Sequence, residues 1–177
     1  WSHGLAMVST EIEELSKESQ EKAVSPLVVS LGYRCYTKFS IRKLGLDAET
    51  MPFDWIQTRV EGILHYLKND FDGFLDHSSK ERDPYSYSSS EAKYIFRDAV
   101  HSFWHDDPTN SEDIAKYRRR IARFKALKTS GRRILFVRTV ARSKELYQTD
   151  DLLGEITTFF GGRAHLLIIV DMQRQTR

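Results

Sequence analysis

The only thiol in the chain, Cys35, lies three residues after Gly32 in "SLGYRC", where an apolar run ends and a helical pattern begins. A cysteine in the first turn of a helix meets free N–H groups and the positive end of the helix dipole, both of which favour the thiolate. The same N–H groups can hold the oxyanion formed when a thiolate attacks a carbonyl. Such a nucleophile needs an imidazole within hydrogen-bond reach. Six histidines are available. His3 is near the N-terminus, His65 sits in an apolar helical stretch, His77 opens a polar run and His165 leads into a strand. His101 and His105 flank "SFW", and His105 precedes Asp106 and Asp107 at the end of an expected strand. A carboxylate beside an imidazole can orient it and raise its pKa. Plainer roles stand beside these. Free cysteines often pack as small hydrophobes, and a turn histidine among solvated aspartates needs no task.

Asp54, between Phe53 and Trp55 in "PFDW", is expected to be partly buried and therefore to need partners. It could orient a catalytic histidine or cap the helix that follows. Arg138 falls inside the apolar run "ILFVRTV". It must be paired, with Asp54 as one candidate, or bind a substrate carboxylate or phosphate. Asp171 ends the last apolar run, in the zone where open α/β sheets bind ligands. Gly32, Arg138 and Asp171 are thus the candidate substrate-binding residues. Ser30, at the same strand end as Cys35, is a further nucleophile candidate, but no GxS pattern surrounds it. One cysteine excludes an internal disulfide and a cysteine-based zinc cage. No P-loop, GxGxxG or HExxH occurs, so no cofactor or metal is expected.

The elements that must position these residues follow from apolar spacing. "SPLVVSLG" reads as a buried strand and "YRCYTKFSIRKLG" as a helix, with Cys35, Phe39 and Arg42 on one side and Gly45 at its end. "MPFDWI" is a turn or extended segment, because Pro52 biases Met51 away from helix. "WIQTRVEGILHYLKNDF" has the helical period of Ile56, Val60, Ile63, Leu64 and Leu67. Residues 77–91 read as an exposed polar loop, and "AKYIFRDAVHSFWHDD" as one or two short strands. A clear helix follows, capped by Ser111, carrying Ile114, Tyr117, Ile121 and Phe124 inward and ending at Gly131. From Arg133 the order is strand, helix, strand, which makes a βαβ unit with parallel neighbours. The expected fold is α/β, a single layered domain with a mostly parallel sheet covered by helices. Residues 1–23 read as a disordered or expression-derived tail, and residues 24–177 as the domain, possibly truncated at its C-terminus.

Net charge is +2, from 27 basic and 25 acidic residues, too near neutral to imply a polyanion partner. Residues 116–133 carry nine basic residues and no acidic one, but Ile121 and Phe124 keep an apolar helical period through them. That run reads as a solvated face, and nucleic acid is not an expected partner. No apolar stretch approaches the ~20 residues of a membrane span, and the N-terminal residues lack a signal-peptide core. A lone thiol is easiest to keep reduced in a cytosol, so the expected location is cytoplasmic.

Three pieces together, "SLGYRC" (Ser30 to Cys35), "RKLGL" (Arg42 to Leu46) and "MPFDWI" (Met51 to Ile56), resemble the start of a microbial domain family described as "putative papain-like cysteine peptidase". "FWHDD", "YRRRIARFKAL" and "RRILFVRT" resemble its later part in order and rough spacing, so the likeness spans about residues 26–171. The resemblance implies Cys35 as nucleophile and His105 as its base, with Asp54 the best acidic match. It also implies a cysteine helix packed on an antiparallel barrel or sheet, which the strand–helix–strand order of residues 133–170 does not supply. The first functional reading is a cysteine-dependent acyl-transfer enzyme acting on a peptide or small acyl substrate. The alternative is a non-catalytic α/β domain with a ligand pocket at the strand C-terminal ends, in which Cys35 merely packs.

Overall fold

A computed structural model describes residues 25–46, 49–86 and 93–171. The expected N-terminal tail lies outside them. The chain forms β1 (Leu27–Ser30), α1 (Cys35–Lys43), β2 (Ile56–Thr58), α2 (Val60–Lys68), β3 (Ser79–Arg82), β4 (Tyr94–Arg97), β5 (His101–Phe103), α3 (Ser111–Ala126), β6 (Ile134–Val140), α4 (Ser143–Leu146), α5 (Thr149–Phe160) and β7 (Ala164–Val170). Short 3-10 turns follow β3 and α3.

The strands make two sheets. Three are parallel in the order β1-β6-β7, and four are antiparallel in the order β2-β5-β4-β3. The βαβ reading of residues 133–170 holds, with Ile134 opposite Ala164 through Val140 opposite Val170. β1 joins the other side of β6, Leu27 opposite Ile134. The expected α/β class holds, and the parallel sheet holds for β1, β6 and β7, but the other four strands form a second, antiparallel sheet. The antiparallel sheet comes from residues 56–103, where an apolar period of three and four had suggested helix from Trp55. Ile56, Gln57 and Thr58 instead pair with Phe103, Ser102 and His101, and the helix starts at Val60. The polar run after His77 also contributes a strand, because Ser79–Arg82 pairs with Tyr94–Arg97 along one edge. A charged, exposed edge strand has no apolar alternation to betray it.

Both sheets close on one aromatic core. Phe53 is fully buried and packs against Phe71, Phe74 and Phe124 with ring centroids 5.6–5.8 Å apart. Phe124, from α3, reaches Phe136 of β6 and Phe160 of α5, while Phe74 reaches Phe103 of β5. The expected stripe of α3 is thus inward at Tyr117 and Phe124, with Ile114 and Ile121 half-buried. Its cap is Asn110 rather than Ser111: the Asn110 side chain accepts from the N–H groups of Glu112 and Asp113. α1 buries Thr37, Lys38 and Ile41 and leaves Tyr36 and Phe39 outward.

Arg138 joins the two sheets. It is fully buried on β6 and donates to the Leu31 carbonyl at 3.1 Å and the Thr58 carbonyl at 2.8 Å. Its ionic partner is Glu145 of α4 at 2.6 Å, not Asp54. Glu145 in turn accepts from the Val60 N–H that opens α2. One guanidinium therefore fixes the end of β1, the end of β2 and the start of α2, which are the segments around the thiol.

Candidate active site

The approach to Cys35 is built residue by residue. Leu31 is fully buried. Gly32 has φ +73°, and a Cβ there would stand 2.6 Å from the Phe53 carbonyl oxygen, so only glycine fits. Tyr33 follows at φ +92°, a left-handed backbone rarely held by a non-glycine residue outside functional turns. Arg34 returns to extended backbone as the residue before the helix, and Cys35 is its first helical residue. Thr37 locks the turn: its hydroxyl donates to the Gly32 carbonyl at 2.9 Å and shares a 2.9 Å hydrogen bond with the Thr139 hydroxyl of β6.

Cys35 is half-buried and opens onto a cavity of about 220 Å³. Its walls come from three segments: Arg34, Cys35 and Tyr36; Trp55, Ile56 and Gln57; and Trp104 with His105, closed by Tyr85. The antiparallel pairing explains why the last two segments meet. β2 and β5 run side by side, so the residues before Ile56 and after Phe103 emerge at the same end. Cys35 and His105, far apart in sequence, thus face one cavity. The aromatic walls are held in place. Phe39 meets Trp55 edge-on at 5.2 Å, the Trp104 N–H donates to Ser102 Oγ at 2.9 Å, and Arg97 lies 5.1 Å over the Trp104 ring.

Asp54 is completely buried. Its carboxylate accepts from the Met51 N–H at 2.8 Å and pairs with Lys38, itself buried on the inner face of α1, at 3.1 Å. Burial pushes its carboxyl above the usual range, and the Lys38 ammonium pulls the other way. Asp54 therefore ties α1 to the turn before β2 and does not line the thiol cavity. Asp106 accepts from Lys116 at 2.7 Å and from the Tyr117 hydroxyl at 2.8 Å. Burial pushes its carboxyl up, but those bonds and the nearby Arg120 outweigh it and hold it low. Ser30 is buried, and its hydroxyl accepts the Gly32 N–H at 3.0 Å. That N–H is thereby engaged within the turn.

A second cavity of about 250 Å³ lies beyond the C-terminal ends of β1 and β6, between Tyr33 on one side and Arg142 to Glu145 on the other. It shares Gln57 with the thiol cavity. Gln57 is a wall residue that sequence reasoning missed; its half-buried place between the buried Ile56 and Thr58 shows only in the folded strand. Arg138 stands behind this wall, holding Glu145, and lines neither cavity. Asp171 is exposed at the end of β7, its N–H bonded to the Val140 carbonyl at 2.8 Å, and also lines neither. The remaining described histidines do not line the thiol cavity. His65 and His165 are exposed, His77 packs on Phe96, and His101 is buried against Tyr66. Among the described residues, no cluster of histidine, cysteine and carboxylate side chains could hold a metal ion, and no helix is long and apolar enough to cross a membrane.

Residues 26–169 match the family described as "Putative papain-like cysteine peptidase", and the chain belongs to that family. Among individual proteins, it is 31% identical to "Uncharacterized protein R408" of Acanthamoeba polyphaga mimivirus, over 68% of this chain and 64% of that protein. The chain therefore matches just under two-thirds of that relative's length. No solved structure matches it.

Proposed function

We propose that the chain is a cysteine-dependent acyl-transfer enzyme, a peptidase or a related hydrolase or transferase, with Cys35 as nucleophile and His105 as its base. The observation that carries this reading is that Cys35 and His105 face one cavity, the thiol presented by the first helical turn. The Cys35 sulfur attacks the substrate carbonyl while His105 takes its proton. N–H groups of the first turn of α1 hold the oxyanion. Collapse expels the leaving group with the proton returned by His105, and water then cleaves the thioester on the same base. Asp54 acts as a positioning residue, because it sets α1 against the turn that carries Trp55. Family membership supports the reaction class, and a lone reduced thiol suits a cytoplasmic setting.

A second reading, a ligand-binding domain with a pocket at the strand ends, draws on the second cavity, which lies at that place in the fold. Reaction with p-nitrophenyl acetate separates the two. The enzyme reading expects a burst of about one nitrophenolate per chain and an acetyl group on Cys35 by mass spectrometry, both lost in Cys35→Ala. Acetylation confined to lysines, unchanged in that variant, gives precedence to the binding reading.

A further inference from the structure

The cavity beyond the ends of β1 and β6 is not used by the reaction as described. We propose that it is a subsite for a free carboxylate, so that the enzyme acts on peptides one or two residues from their C-terminus. The inference rests on the acyl-transfer reading above and names its substrate class.

Charge on the wall is the first observation. Seven ionisable side chains besides His101 and Tyr33 line the cavity. Arg138 neutralises Glu145 at 2.6 Å, and Glu81 engages Arg97 at 3.1 Å. That leaves three cations, Arg59, Arg142 and Lys144, against Glu61 and Asp98. Among the described residues none of the three cations forms an ion pair, and all three are exposed. Two guanidinium groups offer the planar fork that matches a carboxylate.

Position is the second. The same segments run under both cavities: Tyr33 borders the second one and Arg34 to Tyr36 the thiol cavity, while the chain of β2 and the residue after it runs from Ile56 to Arg59. At about 3.8 Å per residue, Tyr33 and Cys35 are at most ~7 Å apart along the chain, the reach of about two extended substrate residues.

In the resulting reaction the Cys35 sulfur bonds to the carbonyl carbon near the C-terminus. The C–N bond breaks, and the amine of the terminal amino acid or dipeptide leaves with a proton from His105. The acyl group stays as a thioester, which water converts to a carboxylate and free thiol. The aromatic thiol cavity receives the side chain on the acyl side.

Calorimetry on the Cys35→Ala chain measures binding without turnover. N-acetyl-phenylalanyl-glycine is compared with its C-terminal carboxamide. The expected result is at least tenfold tighter binding of the carboxylate, falling to twofold or less in Arg142→Gln/Lys144→Gln, whose exposed positions spare the fold. Equal binding of acid and amide overturns the subsite, as does a preference that the double variant leaves intact. Tighter binding of a peptide with a free α-ammonium instead reassigns the wall to Glu61 and Asp98 and also overturns it. The acetylation test on Cys35 is separate. If Cys35 is acetylated but acid and amide bind equally, the subsite fails and the enzyme stands. If the acid is preferred but Cys35 never acylates, the enzyme reading fails and takes the exopeptidase proposal with it.

Discussion

The motif residues divide the work of building one junction. In "SLGYRC", Ser30 holds the Gly32 N–H, Leu31 fills the core and lends its carbonyl to Arg138, and Gly32 lets the chain pass Phe53. In "PFDW", Phe53 is the aromatic hub, Asp54 pairs with Lys38, and Trp55 becomes a wall of the thiol cavity. These positions were legible in the sequence, because glycine, a buried acid and a lone thiol are unusual where they stand. Their partners were not. Lys38 resembles any surface lysine on a helix, and nothing in one sequence says that Arg138 meets Glu145 rather than Asp54. Gly32→Ala is a test at this scale. The added methyl meets Phe53 at 2.6 Å on a backbone at φ +73°, so the variant loses about 2–4 kcal/mol in urea unfolding and reacts more slowly at Cys35. Unchanged stability would mean that the close approach is not real.

Among the elements, the strands of the parallel sheet were readable as apolar runs bounded by glycine and proline, and α3 as a periodic stripe. β2 was not. Three residues are too few to show alternation, and Ile56 fell in step with the helix that begins four residues later. α1 was readable, but the face it buries was not: Lys38 turns inward to the ion pair with Asp54, and Phe39 stays outward. This pair is the anchor of the helix that carries the thiol. Asp54→Asn leaves the buried Lys38 ammonium without its carboxylate and costs about 3–5 kcal/mol. Lys38→Met/Asp54→Asn recovers part of that loss in thermal unfolding. An Asp54→Asn chain as stable as the wild type would show that the pair does not anchor α1.

At the scale of the molecule, what could not be read was the meeting of two sheets. Long-range antiparallel pairing between residues 56–58 and 101–103 brings His105 to Cys35's cavity, and no local pattern encodes it. The antiparallel sheet implied by the family likeness is supplied by residues 56–103, where a helix, a loop and one or two short strands had been expected. The basic run of α3 is also resolved here. Lys116, Arg120, Arg123 and Lys125 pair with Asp106, Asp106, Glu49 and Asp70, so its charge ties α3 to the loops around it. The second sheet carries a pH dependence of the whole fold. His101 is 4% exposed, 2.6 Å from the Tyr66 hydroxyl, and burial pulls its pKa down to about 4 against the pull of Asp98 and Asp76. In the unfolded chain it titrates near ~6.5. Between those values the unfolded chain holds a proton that the folded one refuses. Stability is therefore complete above pH ~6.5 and falls as pH drops toward 4, by roughly 2–3 kcal/mol from this group. Urea midpoints at pH 7.5 and 4.5 should fall less in His101→Gln than in the wild type; equal falls would assign the acid sensitivity elsewhere.

The central claim is that Cys35 and His105 work as a pair. It is tested most directly by the rate of Cys35 alkylation with iodoacetamide across pH 5 to 9, in the wild type, in His105→Ala and in urea-unfolded chain. The account predicts that the native thiol at pH 6 reacts at least ~10-fold faster than the unfolded one, and that His105→Ala removes that advantage while the fold stays intact. A thiol that is inert until the chain unfolds, or that reacts at the same rate with and without His105, would contradict it.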